Sequence, residues 1–379
     1  MTDYSSSTGQ RTIGLDLGDK YSHFYVVDAS GEELESGRVM TSPSGMRKKF
    51  EGMQRARVVI EVGTHSPWVS RLLEECGHEV VVANARQVQL ISKNNRKSDR
   101  VDGELLARLG RMDVKLLSPI RHREAKGQAD LAVLRSRDAL VKARSALVSH
   151  VRGAVKSWGA RMPGGTAESF HRRVAHLPEA LHPALLPVME VIQRLTQEIR
   201  QYDRQLAGWC QERYPETAGL QQVTGVGPLT ALAFVLTLED PHRFPKGRSV
   251  GRYLGLTPKQ DDSGEQSPQL RITKAGDRML RRLLVSCGHY ILGPFGPDCD
   301  LRQWGMKRFE QGGKNAKKRA VVAVARKLAV LLHRLWVSGE VYDPWRNRKR
   351  RTELQQLRLE PGPALAGNGD SNRAAPEQV

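Results

Sequence analysis

Four carboxylates stand where the apolar pattern around them should have excluded them. Asp16 lies inside "TIGLDLG", Glu61 closes the run "ARVVIEVG", and Asp99 and Asp102 open "RKSDRVDGELLARLGRM". Wound at about 3.6 residues per turn, this last stretch gathers Arg100, Glu104, Arg108 and Arg111 on one side. Val101, Leu105, Leu106, Leu109 and Met112 gather on the other. Asp102 falls on the apolar side, between Leu106 and Leu109, with Asp99 at its border. Turning a charged carboxylate toward a core costs on the order of several kcal/mol unless something compensates it. A divalent cation would compensate all four. Mg²⁺ prefers hard oxygen ligands and joins carboxylates to phosphate oxygens, and two such ions about 4 Å apart clamp an in-line phosphoryl transfer. Each acid also has a plain structural reading. Asp99 suits a helix N-terminus, Asp102 a salt bridge to an arginine, and Glu61 a pair with lysine or the cap of the next helix.

The elements that must position these acids are legible from periodicity. "TIGLDLG", "HFYVVDA" and "ELESGRVM" read as strands. "SPSGMRKKFEGMQ" opens with a Ser/Pro start signal and reads as a helix. "ARVVIEVG" is a buried β-branched strand, "HSPWVSRLLEECG" a helix closed by Gly77, and "HEVVVAN" a further strand. Three antiparallel-looking strands followed by strands separated by helices predict a mixed α/β sheet. From about residue 120 to 215 the period changes. Val133, Leu140, Leu147 and Ala154 recur every seven residues, with Leu134, Val141, Val148 and Val155 one place behind. Val188, Ile192, Leu195, Ile199, Tyr202, Leu206 and Trp209 alternate steps of four and three. Such a seam predicts a long helical hairpin or coiled coil, pairing with itself or with another copy. "RMPGGTAESFHRRVAHLPEALHPALLP" connects the two arms, and Trp158 and Trp209 read as core.

The chain has 379 residues and a formal charge of +19, with Lys and Arg outnumbering Asp and Glu by 60 to 41. This surplus suits a polyanion, nucleic acid first. The four cysteines are scattered without a CxxC pair, and no apolar run is long enough to span a membrane. A cytoplasmic protein is expected. Five regions follow: an N-terminal extension 1–10, an α/β domain 11–118, a helical region 119–215, a mostly helical domain 216–345, and a basic tail 346–379 that reads as disordered.

Further basic and polar stretches suit nucleic acid. Lys93, Arg96 and Lys97 precede the paired aspartates. Arg271, Lys274, Arg278, Arg281 and Arg282 cluster around "RITKAGDRMLRRLLV", whose Met279, Leu280, Leu283, Leu284 and Cys287 form the opposite face. Such cations position a nucleic-acid backbone without reading its sequence. "VTGVGPLTA" resembles a helix-hairpin-helix turn, whose Gly225 and Gly227 amides can approach a phosphate. "PKQDDSGEQSPQ" is a loop containing Ser263 and Ser267, and its composition alone indicates an ordinary turn.

The order Asp16, Glu61, Asp99, Asp102, with the "KSDRVD" box, resembles the DEDD tetrad of the RuvC-like, ribonuclease H-fold insertion-sequence transposases. "GVGPLTA", "RFPKGRSVGRYLGLTPKQDDSG" and "ITKAGDRMLRRLLV" are similar to the second domain of that family. The likeness runs from residue 11 to roughly 305. It departs at "SGEQSPQLRITKAGD", where the family often carries more glycine and basic residues. The resemblance implies a Mg²⁺-binding tetrad and a nucleophilic serine at Ser263, with Ser267 as runner-up. It also implies DNA as substrate, a structured noncoding guide RNA as partner, and a homodimer or homotetramer. The tetrad alone leaves two other readings open. A RuvC-like junction nuclease would use water and need no serine. An actin-like ATPase, which shares the "IGLDLG" pattern, would not need the aspartate pair. A non-catalytic RNA-binding protein would leave four inward acids without a purpose.

Overall fold

The computed structural model describes residues 11–84, 99–260, 263, 270–313 and 315–348, apart from the side chain of Asp99. The expectations for Lys93, Arg96, Lys97, Ser267 and the tail beyond Arg348 lie outside the described residues. The chain divides into two compact units, residues 1–128 and 129–379.

The first unit contains β1 (Thr12–Asp16), β2 (Tyr21–Val27), β3 (Glu33–Met40), α1 (Pro43–Phe50), β4 (Arg57–Glu61), α2 (Ser66–Glu75), β5 (Glu79–Ala83) and α3 (Asp99–Met112). The strands form one sheet in the order β3-β2-β1-β4-β5. β1, β2 and β3 pair antiparallel, whereas β4 and β5 run parallel to β1. This is the mixed sheet the sequence predicts, and it is compatible with a ribonuclease H-like domain. The Ser/Pro signal works as read: Ser42 Oγ accepts from Gly45 N at 3.1 Å and Pro43 opens α1. α1 stops at Phe50, short of the stretch expected from the sequence.

Strand alternation assigns the two faces of this sheet. Ile13, Leu15, Val58 and Ile60 pack with Met46 and Phe50 of α1 and Val69 and Leu73 of α2. Val59 and Val81 pack with Leu106 and Leu109 of α3. Gly14 also faces α3. A Cβ built on it would overlap the Gly103 carbonyl oxygen and lie 2.5 Å from Ala107 N. One on Gly110 would overlap a methyl of Val59. The buried seam of α3 therefore runs through Gly103, Leu106, Ala107 and Gly110, with helix backbone set directly on β1. The expected apolar face is displaced accordingly, leaving Met112 70% exposed. The basic side of α3 is also engaged: Arg108 and Arg111 donate to the Gly31 and Ala29 carbonyls at 3.1 and 3.0 Å, and Arg100 pairs with Glu33 at 3.3 Å. These bonds pin the helix to the β2–β3 turn.

The second unit is helical: α4 (Ala125–Ser157), α5 (His182–Glu212), α6 (Thr217–Gln221), α7 (Pro228–Leu238), α8 (Arg248–Tyr253), α9 (Arg278–Leu292), α10 (Asp300–Glu310) and α11 (Ala316–Ser338). The pairs Arg213–Asp130, Arg137–Asp203 and Arg144–Thr196 show α4 and α5 running antiparallel. Of the two heptad series on α4, the later is buried at Leu134, Val148 and Val155, and the earlier lies half-buried beside it. On α5, Ile192, Ile199 and Leu206 are buried as expected, while Val188, Leu195, Tyr202 and Trp209 flank the seam. The seam is filled within the chain. Trp158, expected in the core, is 59% exposed, because α4 ends at Ser157 and the chain turns off at Gly159 (φ 80°). α7 is apolar on every side, and Thr230 through Leu238 are all buried. It shares one core with Leu280 and Leu284 of α9 and Leu328 and Leu332 of α11.

The glycine contact on β1 makes a paired prediction. Gly14→Ala should cost about 3 kcal/mol, because the new methyl meets backbone that cannot rotate away. The nearest atom to a Cβ on Gly103 is His23 O at 3.4 Å, an ordinary contact. Gly103→Ala should therefore stabilise by about 0.5–1 kcal/mol through helix propensity. Denaturant melts of the two variants check both signs.

Candidate active-site residues

Asp16 and Glu61 end adjacent parallel strands. The β1–β4 register pairs Gly14 with Val59 and Leu15 with Ile60, so the two acids are next in line at the carboxyl ends. This is the edge of a parallel sheet where ligands characteristically bind. Both share the parity of Gly14 and Val59, and so belong to the face that α3 covers. They are half-buried. Asp102 neighbours Gly103, the residue seated on Gly14. It is only 9% exposed, and its Oδ1 has no hydrogen-bond partner. A buried carboxylate oxygen with no partner costs on the order of several kcal/mol. Among the described residues, the salt bridge considered for Asp102 does not form. The orphaned oxygen and two carboxylates at strand ends on the same face fit a hard cation in chemistry. Among the described residues, no three His, Cys, Asp or Glu side chains stand close enough to hold an ion by themselves. Asp99 begins α3, three residues before Asp102, and its side chain lies outside the described residues.

Ser263 is exposed. The chain on either side of it forms a short antiparallel stem. Pro258 bridges Ile272, Lys259 N donates to Arg271 O, Thr273 N to Thr257 O, and Lys274 N to Gly255 O, the last three at 2.9, 2.9 and 3.1 Å. Arg271 and Lys274 are exposed on this stem, and Lys274 adopts φ 56°. The sequence reads this stretch as loop and misses the stem, because its strands are too short to show alternation.

The basic face of α9 separates into three different arginines. Arg278 is exposed. Arg281 donates to two backbone carbonyls, Leu254 O at 2.9 Å and Ala275 O at 2.6 Å. Arg282 pairs with Asp138, which also receives Lys142 at 2.7 Å. Burial pushes the Asp138 carboxyl up, but the hydrogen bonds from Lys142 and Arg282 outweigh it and leave it below the ordinary carboxylate value. Its charged form is thus favoured in the fold, a contribution lost as pH falls through the lowered value.

The Gly225–Gly227 turn borders a groove of about 490 Å³ lined also by Thr224, Ser286, Cys287 and Tyr290. Gly225 has φ 88°, and a Cβ there would lie 2.9 Å from the Tyr290 ring. Gly227 caps α7 with extended backbone, no side-chain cap and open space beside it. Amides at such a turn suit an anion.

Comparison with known proteins gives this arrangement a lineage. Residues 13–158 match the profile of DEDD transposases of the IS110 type, and residues 218–293 match that of the Transposase IS116/IS110/IS902 family. Between them the two profiles cover more than half of the chain. The chain belongs to the IS110-type insertion-sequence transposases. The transposase is 27% identical over 342 residues to the transposase for insertion sequence element IS1111A of Coxiella burnetii, covering 88% of this chain and 91% of that protein. It is 28% identical over 349 residues to the transposase for insertion sequence element IS1328 of Yersinia enterocolitica, covering 87% and 98%. A probable family 20 transposase of Pseudomonas aeruginosa is 28% identical over 323 residues, covering 83% and 92%. The protein is an enzyme of DNA transposition, and its substrate is DNA. No helix among the described residues is long and apolar enough to cross a membrane.

The divergent surroundings of the arginines predict opposite phenotypes. Arg282→Ala should cost about 2 kcal/mol, because it strips one partner from the buried Asp138. Arg278→Ala should leave stability within about 0.5 kcal/mol. If Arg278 touches a phosphate, its removal should also flatten the salt dependence of DNA affinity by about one unit of log–log slope. Thermal melts and salt titrations of binding separate the two.

Proposed function

We propose that the transposase cuts and rejoins DNA by serine attack on a phosphodiester, at a metal site built from Asp16, Glu61, Asp99 and Asp102. The observation that carries the metal site is the buried, unpartnered Oδ1 of Asp102 on the face shared by Asp16 and Glu61. Two Mg²⁺ ions bound there would supply Lewis acidity to phosphate oxygens and lower the pKa of an attacking hydroxyl. The four acids would hold that charge. The exposed Ser263 attacks phosphorus through its Oγ. Its hydroxyl proton leaves, the bond from phosphorus to a deoxyribose oxygen breaks, and that oxygen leaves as a hydroxyl. A serine–phosphodiester link keeps the bond energy until the hydroxyl of a second strand attacks the same phosphorus and releases Ser263.

Positive residues supply DNA contacts in this reading: Arg271, Lys274 and Arg278, the Gly225–Gly227 turn, and Lys93, Arg96 and Lys97, which precede Asp99 in the sequence. A structured noncoding guide RNA is the further partner. The charge of +19 supports nucleic-acid binding in general. The region boundaries expected from the sequence, a cytoplasmic location and a dimer or tetramer belong to the same reading. Since each arm of the α4–α5 hairpin covers the seam of the other, contacts between copies would use other faces. The water-using nuclease and the ATPase have no support from the family match.

Two variants test the chemistry, using a duplex carrying the joined ends of the protein's own element and RNA transcribed from that element. Asp102→Asn should fold at least as stably as the parent in EDTA, with a gain on the order of 1 kcal/mol from removing an uncompensated buried charge. It should lose strand cleavage in Mg²⁺. Cleavage at the parental rate would sink the tetrad assignment. Ser263→Ala should bind DNA normally, with chemistry lowered by many orders of magnitude. Denaturation during reaction should trap protein on a DNA end with the parent and none with the alanine variant. Strand exchange at the normal rate by Ser263→Ala would leave it a turn residue and make Ser267 the next to test.

A further inference from the structure

The sequence places Arg281 among the residues that contact DNA, but the geometry points to a different task. We propose that Arg281 is a positioning residue for Ser263, holding the base of the stem that carries it. This inference rests on the assignment of Ser263 as nucleophile.

Nη1 of Arg281 donates to Leu254 O at 2.9 Å and to Ala275 O at 2.6 Å. Those carbonyls stand at the two ends of the segment that contains Ser263. Between them the stem bonds run outward in order, from Gly255–Lys274 through Thr257–Thr273 to Lys259–Arg271. One guanidinium nitrogen therefore closes the excursion at its root. Leu254 is also the C-cap of α8, so its carbonyl is one that a helix end leaves without an intrahelical partner. Both bonds are charge-assisted, the stronger class.

The root is also where the backbone is under most constraint. Gly255, Lys274 and Gly276 all have positive φ, 66°, 56° and 69°. Lys274 is the non-glycine among them and holds a conformation that L-residues rarely adopt. A Cβ on Gly276 would overlap Tyr253 O, so the returning arm lies directly on the end of α8.

Arg281 springs from a fixed platform. Its helix starts with Asp277, which accepts from Leu280 N at 2.8 Å and pairs with Arg135 of α4 at 3.3 Å. Arg282 adds the pair with Asp138, and Leu280 and Leu284 are fully buried in the core of the unit. In-line attack tolerates little displacement, and an error of about 1 Å at the reacting atom can cost about 100-fold in rate. Ser263 lies four residues past Lys259, where the described stem ends, so tilt at the root moves the origin of the segment that carries it. The clasp converts the rigidity of α9 into a defined origin for the stem.

Arg281→Met keeps the aliphatic bulk of the side chain and donates nothing. With full-length protein, its element's RNA and a duplex of joined element ends, the cleavage rate at saturating DNA should fall about 100-fold. DNA affinity and its salt slope should stay at the parental values. Arg281→Lys, whose ammonium can donate to both carbonyls, should recover part of the rate. Hydrogen exchange should quicken at the amides of Lys259, Thr273 and Lys274 in Arg281→Met and stay slow at the buried turns of α9. A lost salt-slope unit with unchanged stem exchange would overturn the proposal in favour of phosphate contact. So would parental cleavage together with parental exchange. Exchange is read without catalysis, so the clasp is tested even if Ser263→Ala proves active. That result would remove the serine reading while leaving the role of Arg281 in the stem decided by exchange. If Arg281→Met fails to fold, exchange in Arg281→Gln, whose shorter amide cannot span both carbonyls, decides. Quickened stem amides with DNA affinity retained support the clasp, and parental stem protection overturns it.

Discussion

The first unit depends on one contact between two backbones. α3 lies on β1 with no side chain between Gly14 and the carbonyl of Gly103, closer than any residue with a Cβ would allow. Packed layers normally stand about 10 Å apart, as stacked sheets do, spaced by interdigitating side chains. Here small residues at 103, 107 and 110 let the helix settle lower, and Val59 fits against Gly110. Asp102, next to the point of closest approach, goes down with the helix. Aspartate has a single methylene with which to reach back to water, so its carboxylate stays buried with one oxygen unsatisfied. The arginines on the opposite side fix the helix along its own axis through the Ala29 and Gly31 carbonyls.

Much of this was legible in the sequence, for reasons that differ by element. The strands could be read because β4 and β5 are continuous β-branched runs and β1 and β2 carry few polar interruptions. The inward direction of Asp102 could be read because its neighbours at helical spacing are leucines. The seam itself differs from the sequence expectation. Apolar size predicts Met112 inside and gives the glycines no role, whereas Met112 is exposed and the glycines are buried. The spacing Gly103-x-x-x-Ala107, opposite a strand with Gly14 among bulky residues, was the available signal. The heptads of α4 and α5 fared similarly. Their period was right, but two interleaved series look alike in a sequence, and only the partner helix decides which is covered. Asp130, Asp138 and Arg144 lie on the buried side, where a reading by hydrophobicity has no place for them. The arginines of α9 show the general limit. Their charge is visible in sequence, but whether a guanidinium meets solvent, a carboxylate or two carbonyls depends on chain segments far away.

The second unit uses polar groups to choose among packings that apolar residues would leave equivalent. Leucine and valine seams can slide by a heptad at little cost. A buried arginine that finds Thr196, or a buried aspartate that finds Arg213 and Tyr214, finds it in one alignment only. Burial and the bond to Asp130 push the Tyr214 hydroxyl well above its usual pKa, so it remains a donor across the physiological range. Such groups add little net stability, and their contribution is specificity.

That alignment makes the hairpin a ruler. Beyond Arg144 and Thr196 the two arms run on to a separate small core of Val148, Val151, Val155, Phe170, Leu185 and Met189, with no polar cross-tie on the seam between them. Adding one heptad to each arm in that stretch would carry the tip outward by about 10 Å and leave every interlocked charge in place. Adding seven residues to one arm alone in that stretch would put Val148, Val151 and Val155 out of step with Leu185, Met189 and Ile192. The length of this hairpin is therefore free to change by matched sevens, and the reach of the tip is a quantity that sequence can tune independently of the helical core at its root.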